Sequence, residues 1–216
     1  MITSIIFDMD GVLIDSQPMH YAADEITLKH FGVDVDLKLL ESYAGTTNPD
    51  RYTSFKALFH MPQTVEEMVA FREKAIMDYV QTHALKAIDG VAQLLGSIRA
   101  AGLKTAVASS SSYAYIYAVL DKLGLSAYFD HVVSGEDMKR GKPAPDIFLK
   151  TAEVMGSLPA SCVVIEDSGN GVLAANGAGM KVVGFVNPSS GKQDLSTATL
   201  IIDTFDKIDA AVLMNL

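Results

Sequence analysis

The chain has 216 residues, of which 49% are hydrophobic and 20% charged, and its formal net charge is -9. This composition is typical of a globular protein with one large domain, or of a domain that carries a sizeable insert. The negative charge argues against a nucleic-acid partner, because phosphate backbones bind basic surfaces. No apolar run approaches the roughly 20 residues of a membrane-spanning helix, so we expect no association with a membrane.

The only cysteine of the sequence, Cys162, lies within an apolar run. A disulfide framework is therefore impossible, which is typical of proteins in the reducing cytosol. No basic segment leads into an apolar stretch at the N-terminus, and carboxylates interrupt the first apolar run at position 8, so we expect no signal peptide. We expect a cytoplasmic protein in which Cys162 is a buried small side chain rather than a nucleophile.

The first predicted element is a strand that ends in two carboxylates. Ile5, Ile6 and Phe7 do not alternate with polar residues, which predicts a strand buried on both faces. Side chains two residues apart on an extended backbone point the same way, so Asp8 and Asp10 can converge on one point. Two carboxylates at one buried point need a cation or a proton between them. An ordinary Asp-Gly turn after a strand is the alternative interpretation.

Residues 18–83 show helical patterns and no strand signal. Pro18 is typical of the first turn of a helix, and Gly32 of a helix end. The predicted helices cover residues 19–31, 37–43, 51–59 and 65–82. We therefore predict an all-helical domain over residues 16–83, inserted into a second domain that comprises residues 1–15 and 84–216.

Strands alternate with helices from residue 86 onward. The predicted strands cover residues 105–108, 131–133, 162–165, 181–186 and 200–202, and the predicted helices cover residues 90–101, 113–123, 145–155, 171–177 and 205–214. This alternation implies right-handed crossovers and a doubly wound parallel sheet. The predicted fold class is therefore α/β, with an inserted all-helical domain.

Polar side chains follow three of the predicted strands, and ligands of such sheets bind outside the carboxyl ends of the strands. Asp8 and Asp10 follow the first strand, Ser109 follows the second, and Glu166 and Asp167 follow a later one. Carboxylate oxygens are hard donors that suit Mg²⁺, which needs few protein ligands and keeps several waters.

Two residues of this group have simpler alternatives. Lys142 lies in a loop between prolines, where it could be a solvated lysine; beside carboxylates it could instead balance charge and bind a phosphate oxygen. Ser109 could be the N-cap of the helix that follows, and a helix N-terminus can also bind an anion.

Four segments together resemble the motifs of the haloacid dehalogenase (HAD) superfamily, in order and in spacing over nearly the whole chain. They are Asp8-Met-Asp10-Gly-Val, then Ser109, then Gly141-Lys142-Pro-Ala-Pro-Asp146, and then Ile165-Glu166-Asp167-Ser168. The helical insert resembles the cap domain of the β-phosphoglucomutase-like subfamily. The resemblance implies a Rossmann-like core with this cap.

The resemblance also implies a role for each motif residue. Asp8 would be the nucleophile that forms an aspartyl phosphate, and Asp10 the general acid and then the general base. Ser109 and Lys142 would bind the transferring phosphoryl group. Mg²⁺ would be bound by Asp8, by the backbone carbonyl of Asp10, by Asp167, and by Glu166 directly or through water. The presence of Asp10 favours phosphoryl transfer, since the dehalogenases that name the superfamily lack this aspartate.

The cap would carry the substrate contacts, and the candidates are His20, Gly45, Thr46, Asn48 and Lys74, together with Ser110 from the core. Mutases of this subfamily use a basic pair in the cap, but Asn48 and Ala75 stand at these positions here. Ser112 likewise stands where we expect a basic residue. These departures favour hydrolysis of a small phosphate monoester over sugar-phosphate isomerisation, although Arg51 and Lys74 could compensate.

Two further interpretations of the same residues stay open. A β-phosphoglucomutase-type mutase is the alternative within the subfamily. A non-catalytic phospho-accepting or phosphate-binding domain is the alternative from another class, although such a receiver would lack the helical insert. We expect a small phosphorylated metabolite as partner, a monomer or weak homodimer, and a cap that opens and closes on linkers near Asp15 and His83.

Overall fold

The computed structural model describes residues 1–43 and 46–216. The chain divides into two compact units. The first, called here the sheet unit, comprises Met1–Asp15 and Leu85–Leu216, and the second, called the helical unit, is Ser16–Ala84.

A six-stranded parallel sheet forms the centre of the sheet unit. Its strands are β1 (Ser4–Phe7), β2 (Lys104–Ser109), β3 (His131–Ser134), β4 (Cys162–Glu166), β5 (Lys181–Phe185) and β6 (Leu200–Ile202). They lie in the order β3-β2-β1-β4-β5-β6. The chain thus builds the sheet outward from β1 in one direction and then in the other, which confirms the predicted α/β class with a doubly wound parallel sheet.

The position of β1 between β2 and β4 decides where the polar strand ends meet. Phe7, the last residue of β1, lies beside Val107 of β2 and Ile165 of β4. The next residue, Asp8, donates its backbone N–H to the carbonyl of Ile165 at 3.0 Å. Since parallel strands share one carboxyl edge, the residues that follow β1, β2 and β4 lie side by side.

Within its described residues, the sheet unit also contains five α-helices: α5 (Val91–Ala100), α6 (Tyr113–Lys122), α7 (Asp146–Val154), α8 (Gly169–Gly177) and α9 (Ala210–Met214). Strand residues that include Ile6, Ala106 and Val164 form one core cluster with Phe148 of α7 and Val172 of α8. Both β1 and β4 are buried along their whole length, as expected for strands covered on both faces.

The predicted helix over residues 205–214 is wrong in its first half. Phe205–Lys207 forms a 3-10 turn, and α9 begins only at Ala210. The helix starts late because Asp209 is its N-cap. Asp209 has an extended backbone, and its side chain accepts a hydrogen bond from the backbone N–H of Val212.

The helical unit consists of α1 (Gln17–His30), α2 (Leu37–Glu41), α3 (Asn48–Phe59) and α4 (Val65–Thr82). The N-terminus of α4 is fixed by a capping box, in which Thr64 and Glu67 each accept the other's backbone N–H. The core of the helical unit contains Leu28 from α1, Leu40 from α2, Phe55 from α3 and Met68 from α4. Within the described residues, no helix is both long enough and apolar enough to cross a lipid bilayer.

Candidate active site

A buried lysine joins two of the carboxylates at the carboxyl edge of the sheet. The Nζ atom of Lys142 lies 2.6 Å from Oδ1 of Asp8 and 2.6 Å from Oε1 of Glu166. The side chain of Lys142 is only 9% exposed, so it is not a solvated loop lysine. Burial lowers the pKa of Lys142, but Asp8 and Glu166 outweigh that effect and raise it, so the ammonium stays charged.

Glu166 is held in place by the start of the next helix. Its second oxygen, Oε2, accepts the backbone N–H of Ser168 at 2.7 Å and the hydroxyl of Ser168 at 2.9 Å. The glycine at position 171 leaves the space that this carboxylate occupies, because a Cβ there would overlap it. Both oxygens of Glu166 therefore have hydrogen-bond partners within the sheet unit.

Asp167 lies against the turn that follows the first strand. A Cβ on Gly11 would overlap the carboxylate of Asp167, and Gly11 has a φ of +85°, which other residues rarely adopt. The hydroxyl of Ser190, which follows β5, donates to Oδ2 of Asp167. Asn187 donates to the carbonyl of Gly11 at 3.0 Å and ties the same two loops together.

The carboxylates carry more negative charge than Lys142 balances. Burial raises the pKa of Asp8 well above its usual range; Lys142 lowers it, while Glu166, Asp167 and Asp10 raise it further. Burial, followed by repulsion from Glu166, raises the pKa of Asp167 to about 7. A divalent cation would supply the missing positive charge, so the chemistry of this donor set fits Mg²⁺.

A complete cage of protein ligands is not part of this site. Among residues 1–43 and 46–216, no group of three or more His, Cys, Asp or Glu side chains could hold a metal ion. Mg²⁺ does not need such a cage, because it binds through one or two carboxylates and keeps several waters. A site with only two carboxylate ligands would meet this requirement.

Asp10 lies beside a set of hydroxyl groups from the loop after β2 and from α6. Its Oδ2 accepts from Ser111 at 2.9 Å and from Ser109 at 3.4 Å, and its Oδ1 accepts from Tyr115 at 3.4 Å. The N-cap of α6 is Ser112, so the alternative that Ser109 caps this helix is wrong. Ser109 instead accepts the backbone N–H of Ser111 at 3.1 Å.

The candidate substrate residues have varied surroundings, and Gly45 lies outside the described residues. Within the helical unit, Thr46 accepts two hydrogen bonds from Arg51, Asn48 begins α3, and Lys74 is exposed on α4. The Nδ1 atom of His20 lies 2.6 Å from Nη2 of Arg72. In the sheet unit, Ser110 is exposed after β2.

A buried charge cluster in the helical unit was not predicted from the sequence. Asp24 binds both Arg51 and Arg72 as ion pairs, and it accepts the hydroxyl of Tyr52 at 3.0 Å. The guanidinium group of Arg51 therefore donates its hydrogen bonds to Asp24 and Thr46. No signal in the spacing connects these residues, because they lie on three different helices.

Three site residues were also missed in the sheet unit: Ser111, Tyr115 and Ser190. Ser111 could have been found, since it lies in the serine run that follows β2. To predict the contact of Tyr115 one must know the direction of α6, and to predict that of Ser190 one must know that β5 lies beside β4. The spacing of residues in the sequence reveals neither.

The model of the family described as haloacid dehalogenase-like hydrolase matches residues 5–185. Among curated proteins, the chain is similar to the fructose-1-phosphate phosphatase YqaB of Escherichia coli, with 34% identity over 186 residues that cover 83% of this chain and 94% of the relative.

Two solved structures share the whole fold. One is CbbY from Rhodobacter sphaeroides in complex with phosphate, with a TM-score of 0.89, 25% identity and complete coverage (100%) of both chains. The other is a putative β-phosphoglucomutase from Thermotoga maritima, with a TM-score of 0.81, 26% identity and 100% coverage of both chains. The chain therefore belongs to the haloacid dehalogenase-like hydrolases, and it is an enzyme of the β-phosphoglucomutase-like branch of that family.

Proposed function

We propose that the protein is a Mg²⁺-dependent phosphatase that hydrolyses a small phosphate monoester through an aspartyl phosphate on Asp8. The observation that carries this proposal is the environment of Asp8: a buried carboxylate at the end of the central strand, paired with a lysine and repelled by neighbouring carboxylates. Phosphoryl transfer to Asp8 needs positive charge and hydrogen-bond donors close to this carboxylate, because the transferring group carries negative charge on three equatorial oxygens, and Lys142 supplies one such cation.

Each of three residues has a separate role in the proposed hydrolysis. The carboxylate of Asp8 attacks phosphorus, and the P–O bond to the leaving group breaks. Asp10 donates a proton to the leaving oxygen and then accepts a proton from the water that attacks the aspartyl phosphate, which releases inorganic phosphate and restores Asp8. Lys142 stabilises the charge on the phosphoryl oxygens.

The metal would be held by Asp8, Asp167 and the backbone carbonyl of Asp10. When bound, Mg²⁺ supplies positive charge that neutralises the phosphoryl oxygens and orients them. We assign Glu166 to the orientation of Lys142, because its oxygens are bound by Lys142 and Ser168.

The substrate class follows from the relatives and from the helical unit. YqaB is named for fructose 1-phosphate, so we propose a phosphorylated sugar or a similar metabolite as substrate. Hydrolysis is favoured over a mutase reaction, since a mutase must bind a second phosphate. Arg51, a candidate for that task, is buried and paired with Asp24, and Ala75 is a buried small residue.

The substrate contacts of the helical unit are part of this proposal. They are His20, Gly45, Thr46, Asn48 and Lys74, with Ser110 added from the sheet unit. A panel of sugar phosphates, assayed with alanine variants of Asn48 and Lys74, tests whether these residues select the substrate. We expect a raised KM for the preferred sugar phosphate and an unchanged KM for p-nitrophenyl phosphate.

The test of the main proposal is hydrolysis of p-nitrophenyl phosphate with Mg²⁺, with EDTA, and by the Asp8→Asn variant. We expect turnover only in the first case. Turnover that survives both EDTA and Asp8→Asn would contradict the mechanism, and an absence of turnover across a broad panel of phosphate esters would favour a phosphate-binding role. Incubation with β-glucose 1-phosphate separates the alternatives further: free phosphate indicates the phosphatase, and glucose 6-phosphate the mutase.

A further inference from the structure

The hydroxyl groups beside Asp10 contact its two oxygens separately. Tyr115 reaches Oδ1, whereas Ser111 and Ser109 reach Oδ2. Donors on both oxygens restrict the rotation of the carboxyl group about its last torsion, which is otherwise broad for aspartate. The family motifs described above account for Ser109 but for neither Ser111 nor Tyr115.

The tyrosine is held rigidly in this position. It is only 4% exposed, and it lies in the first turn of α6. The side chain of Ser112 caps this turn by accepting the backbone N–H of Tyr115 at 3.4 Å. A buried phenol needs a hydrogen-bond partner for its O–H group, and Asp10 is such a partner.

Ser111 is held just as firmly by the neighbouring strand. Its backbone carbonyl accepts the hydroxyl of Ser134, the last residue of β3, at 2.6 Å. Gly135 packs so closely on Ser110 that a Cβ there would meet the Ser110 backbone. The loop after β2 therefore presents its hydroxyl groups to Asp10 from a fixed frame.

We propose that Tyr115 and Ser111 are positioning residues that orient the carboxyl group of Asp10 for proton transfer to the leaving oxygen. This inference rests on the proposed phosphatase function. In the first step, Asp8 forms a bond to phosphorus, the bond from phosphorus to the leaving oxygen breaks, and its electron pair takes the proton of Asp10. A misoriented Asp10 leaves that oxygen without its proton. The resulting loss of kcat/KM should therefore be larger for a leaving group that must be protonated than for one that is stable as an anion.

The test compares two substrates of nearly the same shape, phenyl phosphate and p-nitrophenyl phosphate, by their kcat/KM values. Nitrophenolate is a good leaving group without a proton, whereas an unsubstituted phenol, with a pKa of roughly 10 like that of tyrosine, gains more from protonation. For Tyr115→Phe we expect a loss of about tenfold with phenyl phosphate and less than about threefold with p-nitrophenyl phosphate. A loss of about tenfold is typical of one lost hydrogen bond.

Two further variants complete the experiment. Ser111→Ala should show the same selective loss, and it keeps the test decisive if Tyr115→Phe folds poorly. Tyr117→Phe, an exposed tyrosine on the same helix, should leave both values unchanged. Equal losses for the two substrates, or no loss, in Tyr115→Phe and Ser111→Ala would overturn the inference while leaving the phosphatase itself intact. Failure of the wild-type enzyme with both substrates would instead contradict the proposed function.

Discussion

Lys142 and Asp8 form a buried ion pair of 2.6 Å, although 134 positions separate them in the chain. The same ammonium binds Glu166, so two carboxylates, one directly after β1 and one at the end of β4, share a single positive charge. This arrangement leaves the charge of Asp167 and Asp10 to be balanced by other means.

Removal of Lys142 should damage both catalysis and stability. Lys142→Ala leaves two buried carboxylates without their cation, which typically costs about 3–5 kcal/mol. We also expect a fall in kcat of about 100- to 1,000-fold, as for other groups that stabilise transition-state charge. Urea unfolding and phosphatase assays measure the two effects. Lys139→Ala, an exposed lysine of the same loop, is the control and should change neither.

Asp10→Asn should uncouple the two halves of the reaction. The amide cannot accept a proton from water, so the second step slows by about 10²- to 10⁴-fold. With p-nitrophenyl phosphate, whose leaving group needs no proton, the first step continues. We therefore expect a burst of nitrophenolate and an accumulated phosphoenzyme, measured by rapid quenching. A steady state without a burst would contradict the role of Asp10 as the base.

Stability without metal should fall as the pH rises. The pKa of Asp167 is raised to about 7 in the folded protein, against an ordinary value of 3.8, so the folded state binds the proton more tightly than the unfolded state. That contribution is complete below about pH 4 and is lost as the pH rises through about 7. Thermal unfolding in EDTA should therefore occur at a lower temperature at pH 8 than at pH 5.5.

Mg²⁺ should reverse this trend, because the ionised carboxylates are its ligands. We expect the stabilisation by added Mg²⁺ to be larger at pH 8 than at pH 5.5. Asp167→Asn should weaken both the pH trend and the response to Mg²⁺. If the variant behaves like the wild type in both respects, Asp167 is not the group responsible.

Gly171→Ala should be harmful although alanine favours helices by about 1 kcal/mol over glycine. The added Cβ would overlap the carboxylate of Glu166 and so displace the partner of Lys142. We expect lower activity and lower stability. Gly96→Ala in α5 is the matched control: a Cβ there meets nothing within 4 Å, so that variant should be neutral or more stable.

The buried cluster of the helical unit should be essential for its stability. Asp24→Asn removes the charge that balances Arg51 and Arg72, and the expected loss is about 3–5 kcal/mol. Glu25→Gln, at an exposed neighbouring position, is the control. Chemical denaturation followed by circular dichroism measures both. Equal stability of Asp24→Asn and the wild type would show that the cluster is not needed to hold α1, α3 and α4.

The sequence was sufficient to predict the parts of this structure that depend on local patterns. The apolar runs of β1 and β4 and the carboxylates that follow them could be read directly, because a strand buried on both faces has no polar alternation. The helix over Val65–Thr82 was predicted from its helical pattern with the bounds that the structure shows, and the capping box of Thr64 and Glu67 is the physical reason why it begins there.

Long-range contacts could not be predicted in the same way. The ion pairs of Asp24 join residues that are 27 and 48 positions apart on separate helices, and a helical pattern does not show which polar residue of one helix meets another. Tyr115 was interpreted only as part of a helix. Its contact with Asp10 depends on the angle at which α6 leaves β2, which the three-dimensional structure alone provides.

The most direct test of the account is the identity of the phosphorylated residue. The Asp10→Asn variant is mixed with p-nitrophenyl phosphate and Mg²⁺, quenched in acid and reduced with borohydride, which converts an aspartyl phosphate into homoserine. Peptide mass spectrometry should find homoserine at position 8 and at no other aspartate. Homoserine at a different position, or none while nitrophenol is released, would contradict the assignment of Asp8 as the nucleophile.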